Sequence, residues 1–194
     1  MFTIISPCCR QENLETMLPS IDFDKVDKWI IVYDTSKERT YEHMKTDNEK
    51  IIQVDCSDEG STGNCQRNFA IDMVEDGFIY FLDDDNIIHP NFFKEIYPEL
   101  SHKHNVYTFN CHRDWWSDPG YIANGNRPIP NYMDTSQFVV HKKIVKDTRW
   151  VVDAYNADGI FINQVVSNNN KKYHFIDKVC SYWNKIKNNE EEKI

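Results

Sequence analysis

Short apolar runs alternate with stretches of helical spacing along the first hundred residues. Thr3-Ile4-Ile5-Ser6 reads as a first strand. Trp29-Ile30-Ile31-Val32-Tyr33 reads as a second, ending at Asp34, and Ile51-Ile52-Gln53-Val54 as a third, ending at Asp55. Gly60-Ser61-Thr62-Gly63 is a turn before a helix over about 64–74, where the i, i+4 pairs Phe69/Met73 and Ala70/Val74 mark the expected buried face. Phe78-Ile79-Tyr80-Phe81-Leu82 is apolar throughout, as in a central strand covered on both sides. Pro90 stands where a following helix would open, through Phe92, Phe93 and Ile96. This order predicts an α/β fold, a mostly parallel central sheet flanked by helices.

The pattern then loosens. Residues 106–110 form a fifth strand, but 114–131 are rich in Gly, Pro, Asn and Trp and read as a long loop or hairpin region. A segment of that length in a compact domain is usually functional or disordered. Residues 137–141 are another strand, 153–166 are helical in their second half, and 175–183 close as a strand. The charged tail 187–194 is expected to fray.

Composition narrows the function. At 194 residues there is room for one domain, and 40% hydrophobic with 13% aromatic residues predicts a packed core. A formal net charge of -9 argues against a nucleic-acid binder, which needs a basic stripe to neutralise phosphates. No run approaches the roughly 18 apolar residues of a membrane span. Residues 1–8 lack the basic and apolar regions of a signal peptide, so a cytoplasmic protein is expected. The six cysteines include no C-x-x-C pair and read as reduced, mostly buried thiols rather than a disulfide framework or zinc site.

The strongest chemical signal is Phe81-Leu82-Asp83-Asp84-Asp85-Asn86. Three successive carboxylates repel one another and gain nothing as an ordinary strand end. In an extended chain Asp83 and Asp85 share one face and Asp84 takes the other. They form a pair of hard oxygen ligands at the carboxyl end of a central strand, where open α/β sheets bind their ligands. Such ligands favour magnesium or manganese over zinc. An ion there would offset the charge on a departing nucleotide diphosphate, and would let an acidic protein hold an anionic donor. The alternative is a solvated acidic turn capping the next helix.

Tyr80-Phe81-Leu82-Asp83-Asp84-Asp85-Asn86 resembles the D-x-D segment of glycosyltransferases with the GT-A fold, and its three Asp followed by Asn resemble the inverting glucuronyltransferases in particular. Gly63-Asn64-Cys65-Gln66-Arg67-Asn68 resembles the helix-opening Arg-Asn segment of the family-2-like branch. Met133-Asp134-Thr135-Ser136-Gln137-Phe138-Val139-Val140 is similar to the acceptor-side strand of that fold, and Asn156-Ala157-Asp158-Gly159-Ile160-Phe161 to its base-bearing helix start. The small size and missing anchor resemble stand-alone transferases of large DNA viruses or bacteria. The resemblance implies one GT-A domain over 1–194, with a nucleotide-binding half at about 1–86 and a donor-sugar and acceptor half at about 87–186. It implies a Mn2+- or Mg2+-dependent transfer from a nucleotide diphosphate sugar, by default a UDP-sugar, to a glycan or other hydroxyl acceptor. Inversion is favoured over retention, and a monomer or weak dimer is expected.

Roles follow from the same resemblance. Asp85 would be the direct metal ligand, Asp83 would contact ribose or metal, and Asp84 would bond the donor sugar or orient its neighbours. Pro7, Cys8 and Arg10 after strand one, with Asp34 after strand two, would hold base and ribose. Arg67, one turn into a helix whose N-terminus favours phosphate, would lie near the nucleotide. Its alternative is a surface ion pair with Asp84 or Glu59. Asp158 is the candidate general base, with an N-cap as the plain alternative and Asp153 as its rival. Asp134 would contact acceptor or donor sugar. Trp115 and Trp116 are either a flat wall for a sugar ring or a loop anchor. His174 is a candidate further metal ligand or a structural histidine, and His141, His112 and His89 are weaker candidates.

Other enzymes fit less well. A nucleotidyltransferase wants a Gly-rich loop after strand one, where Ser6-Pro7-Cys8-Cys9-Arg10-Gln11 has no glycine. A phosphotransferase with an Asp nucleophile carries D-x-D after its first strand, not its fourth. A dinucleotide dehydrogenase wants G-x-G-x-x-G, which is missing among only six glycines. A non-catalytic sugar-binding or nucleotide-binding domain of the same fold is the remaining alternative, separated by donor turnover.

Overall fold

A computed structural model describes residues 1–36, 39–100, 103–115 and 118–186. Eight strands form one sheet: β1 (Phe2–Cys8), β2 (Lys28–Asp34), β3 (Ile51–Cys56), β4 (Phe78–Phe81), β5 (Val106–Trp115), β6 (Asp118–Ala123), β7 (Phe138–His141) and β8 (His174–Trp183). Their order is β3-β2-β1-β4-β7-β5-β6, with β8 also paired to β5. Strands β1 to β4 pair in parallel. Strand β7 enters antiparallel between β4 and β5, β6 pairs antiparallel with β5, and β8 pairs with β5 in parallel. The parallel reading therefore describes the first four strands and the β5/β8 pair, while β6 and β7 run against it. The long irregular segment resolves towards its hairpin alternative, because β5 continues past Asn110 and turns back as β6.

Alternating side chains feed two cores. Ile4, Ile31 and Tyr80 pack with Leu14, Met17 and Phe92 on one face. Ile5, Ile30 and Phe81 pack with Ala70, Ile71 and Phe161 on the other. Each large apolar side chain buried this way contributes about 1.5–3 kcal/mol, which is why the central runs carry no polar alternation. The first face is covered by α1 (Leu14–Met17) and a π turn at Phe92–Ile96. The second is covered by α2 (Asn64–Met73), α3 (Lys142–Val145) and α4 (Ala157–Asn168).

The phase of α2 differs from the expectation. Ala70, Ile71 and Val74 are buried together with Gln66 and Arg67, whereas Phe69 is 41% exposed. Polar residues placed inward for the site disguise the true i, i+4 stripe. Among the described residues no helix is long and apolar enough to cross a membrane. All six cysteines are free, and only Cys9 is exposed. The tail 187–194 lies outside the described residues.

Candidate active site

The carboxyl ends of β1, β2 and β4 converge beside the start of α2. After Phe81 the chain leaves the strand and turns through Asp84 and Asp85. Asp84 is buried; its carboxylate accepts from the backbone N–H groups of Cys9 (2.7 Å) and Arg10 (2.8 Å) and from Arg10 Nη1 (2.5 Å). Asn13 Nδ2 donates to its carbonyl at 2.9 Å. Asp84 is thus the clasp between the acidic turn and the loop after β1. Asp84→Ala is expected to leave two backbone donors unsatisfied and to lower stability by about 2 kcal/mol or more, read by chemical denaturation.

Asp83 and Asp85 face a common compartment, by a turn rather than by strand pleating. Asp83 Oδ1 accepts from Arg67 Nη2 at 2.5 Å, and Asp85 Oδ2 lies 3.3 Å from Arg10 Nη2. Burial, with Asp83 and Asp84 adding repulsion against the pull of Arg10, pushes the Asp85 carboxyl up to about 7. The C-terminal segment braces this turn: Ile186 N–H donates to the Asp85 carbonyl at 2.8 Å, and Lys185 N–H to Asn86 Oδ1 at 3.0 Å.

Arg67 is buried, so the surface ion pair with Asp84 or Glu59 does not form. Its Nη1 donates to the Thr62 carbonyl (2.7 Å) and to Asn64 Oδ1 (3.2 Å), and its guanidinium lies 4.7 Å from the Trp150 ring centre. Gly63 before α2 has φ +79°, and a Cβ there would stand 2.7 Å from Pro7 Cβ. Only glycine lets the helix start close on the end of β1.

Two compartments meet at this centre. The smaller, about 360 Å3, is bounded by Pro7, Cys8, Arg10, Asp34, Arg39 and Asp85. The larger, about 980 Å3, is bounded by Arg113, Asp134, Trp150, Asp158 and Trp183. Arg67 and Asp83 line both. Asp34 holds the rim of the small compartment through Ser36 Oγ (2.5 Å) and Arg39 Nη1 (3.1 Å).

Asp158 lies in the first turn of α4, whose N-cap is Asn156, so it is not the capping residue. Its Oδ1 accepts from Gly159 N–H at 2.7 Å. Burial and the nearby Asp134 push its carboxyl up to about 6. Asp134 caps the Thr135–Gln137 turn through Ser136 N–H (3.1 Å) and lies 3.4 Å from Arg113 Nη2. Burial raises its pKa despite the opposing pull of Arg113. Asp153 is exposed and lines neither compartment.

His174 requires a correction. It is the first residue of β8, stacked on His104 at 4.7 Å and packed by Tyr107. The β8 residue that reaches the large compartment is Trp183, at the other end of the strand and roughly 30 Å away at about 3.3 Å per residue. His174 is therefore not a metal ligand here. Among the described residues no group of three His, Cys, Asp or Glu converges as a cation cage. Trp116 and the side chain of Trp115 lie outside the described residues. Two other tryptophans line the large compartment: Trp183, with Arg113 over its ring at 5.6 Å, and Trp150, which is 2% exposed and held between the Phe161 ring and the Arg67 guanidinium. Both tryptophans stand alone in the sequence, with no spacing to single them out.

The model of glycosyl transferase family 2 matches residues 4–144, from β1 through the acidic turn and into α3. The chain belongs to this family. Among solved structures, this family 2 chain is similar to S. aureus TarS in complex with UDP-GlcNAc, with a TM-score of 0.72 and 18% identity over 94% of this chain and 58% of that one. It is also similar to the mannosyltransferase PcManGT from Pyrobaculum calidifontis in complex with GDP-Man and Mn2+, with a TM-score of 0.63 and 10% identity over 94% of this chain and 56% of that one. These likenesses show the GT-A fold, and the family 2 chain spans less than three fifths of either structure. No curated protein matches it significantly.

Proposed function

We propose that this family 2 chain transfers a sugar from a nucleotide diphosphate sugar, with a UDP-sugar as the first candidate, to a hydroxyl acceptor with inversion and with Mn2+ or Mg2+ as cofactor. The observation that carries this reading is the junction itself. A small polar compartment and a large aromatic one share Arg67 and Asp83, with Asp85 on one side and Asp158 on the other. The nucleotide sugars and the manganese named in the TarS and PcManGT structures support the donor class and the cofactor.

The residues present fit a divalent cation. Asp85 is buried, and Asp83 and Asp84 add repulsion to the burial that raises its pKa, so a cation there would be favoured. Asp83 and Asp85 would hold the ion, which when bound supplies positive charge against the leaving diphosphate. Pro7, Cys8 and Asp34 would enclose base and ribose. Arg10 and Arg67 would orient the phosphates, and Arg67 is kept in place by Thr62, Asn64 and Trp150. In the larger compartment Asp134 and Arg113 would bind hydroxyls of the sugar. The acceptor oxygen attacks the anomeric carbon, the bond to the diphosphate oxygen breaks, and Asp158 takes the hydroxyl proton.

The test is a panel of nucleotide sugars incubated with the protein in manganese and in EDTA. Release of nucleoside diphosphate from one donor in manganese alone is expected. Nucleotide binding without any release would instead establish the non-catalytic reading.

A further inference from the structure

We infer that the acceptor is an oligosaccharide of at least two units, with its reacting sugar at Asp158 and the next sugar on the exposed faces of Tyr132 and Tyr155. This rests on the transfer proposed above and adds the acceptor's class. Tyr155 is 91% exposed and Tyr132 55% exposed, and both line the large compartment with Asp158. Two aromatic faces left in water beside one cavity offer a flat apolar surface, with a polar hydroxyl handle, to whatever the cavity binds.

The backbone that presents them is fixed. Asn156 Nδ2 donates to Asn131 Oδ1 at 2.9 Å, tying the loop before α4 to the loop that carries Tyr132. Asn163 Nδ2 donates to the Pro128 carbonyl at 3.2 Å, and Tyr173 Oη–H to the Asn126 carbonyl at 2.8 Å. Gly159 lies so close under this loop that a Cβ would stand 2.7 Å from Pro130 Cα. The Arg127 guanidinium lies 5.6 Å from the Tyr132 ring centre and steadies it. Bonds that tie the two loops together lower the cost of ordering them when a ligand binds.

Its chemistry suits a sugar chain. Asn124, Asn126, Asn131 and Asn156 line the same compartment, and amides both donate to and accept from hydroxyls. Although the protein carries a net charge of -9, the charged residues lining this compartment balance, Arg67, Arg113 and Arg127 against Asp83, Asp134 and Asp158. Neutral polar groups interleaved with flat apolar faces match pyranose rings. The volume of about 980 Å3 stands at the top of the range for ligand cavities, leaving room beyond one donor sugar.

The experiment is retention of the protein, loaded with manganese and UDP, on an array of mono- to hexasaccharides, neutral and acidic, with a peptide array alongside. Retention should rise from mono- to disaccharide or longer. Tyr155→Ala and Tyr132→Ala should each weaken it about three- to tenfold. Phe69→Ala, an exposed aromatic lining neither compartment, should not. Melting temperatures of all variants check that each is folded. Retention of no oligosaccharide, equal retention of monosaccharides, retention on peptides alone, or indifference to both tyrosine variants would each overturn the inference. Donor hydrolysis by the wild type is measured in parallel. Hydrolysis without glycan retention removes only the acceptor class, whereas loss of both hydrolysis and nucleotide binding removes the transfer reading first.

Discussion

Asp85→Ala should lose manganese-dependent release of nucleoside diphosphate by about 100- to 1000-fold, the scale of deleting one group that stabilises transition-state charge. Its carboxylate stands buried among like charges, with the Arg10 guanidinium 3.3 Å away. Removing it takes away the side chain that would hold the ion. The backbone brace from Ile186 N–H to the residue 85 carbonyl does not depend on the side chain, so the fold should survive. The mutant should also lose any rise in melting temperature that manganese gives the wild type. This separates it from Asp84→Ala, whose loss is expected in stability because Asp84 clasps the β1 loop. Undiminished turnover by Asp85→Ala in manganese would remove the metal role from the acidic turn.

Asp158→Asn should lower turnover by about 100- to 10,000-fold while making the protein more stable at neutral pH. A general base works deprotonated, so wild-type kcat/KM should rise with pH through about 6 and then level off. The mutant should lose that limb. Stability runs the other way. The folded-state pKa is raised from 3.8 to about 6, so the folded protein holds this proton more tightly than the unfolded chain does. The stability that proton contributes is full below 3.8 and is lost as pH rises through 6. Asparagine does not ionise, and its amide oxygen can still accept from Gly159 N–H. The mutant should therefore melt at or near the wild-type temperature around pH 4 and a few degrees higher at pH 8, equivalent to about 2–3 kcal/mol at most. A fall in activity with an unchanged pH profile would place Asp158 outside proton transfer.

That trade between activity and stability explains why parts of the site are legible in the order of residues. The acidic turn can be read because three adjacent carboxylates after a wholly apolar strand repel one another unless charges or donors from elsewhere in the fold offset them, although the clasp that Asp84 forms with the β1 loop is not visible in the sequence. The central strands can be read because residues buried on both faces of a parallel sheet leave uninterrupted apolar runs, as 78–82 and 29–33 do. Asp158 can be read as a carboxylate opening an apolar helix, although the same pattern fits a cap, and only the observed cap at Asn156 separates the two.

What stays hidden depends on contacts between residues far apart in the chain. The two arginines that oppose the acidic turn, Arg10 and Arg67, come from different elements, and sequence spacing does not reveal which carboxylate each will meet. The inward turn of Gln66 and Arg67 contradicts the hydrophobic stripe from which helix phase is inferred. The metal role that the resemblance gives His174 fails because a strand's direction in the sheet decides which of its ends reaches the site, and parallel pairing with β5 carries Trp183 there instead. The tyrosine rim is hidden for a related reason. Tyr132 and Tyr155 are ordinary loop residues in sequence, and only the Asn131–Asn156 bond and the close packing of Gly159 bring their loops to one opening. Local chemistry, set by the order of residues along one strand or turn, was determined by the sequence alone. The pairing of charges and the shape of the larger compartment were decided by the tertiary fold, because each needs two segments whose meeting depends on the packing of the whole sheet.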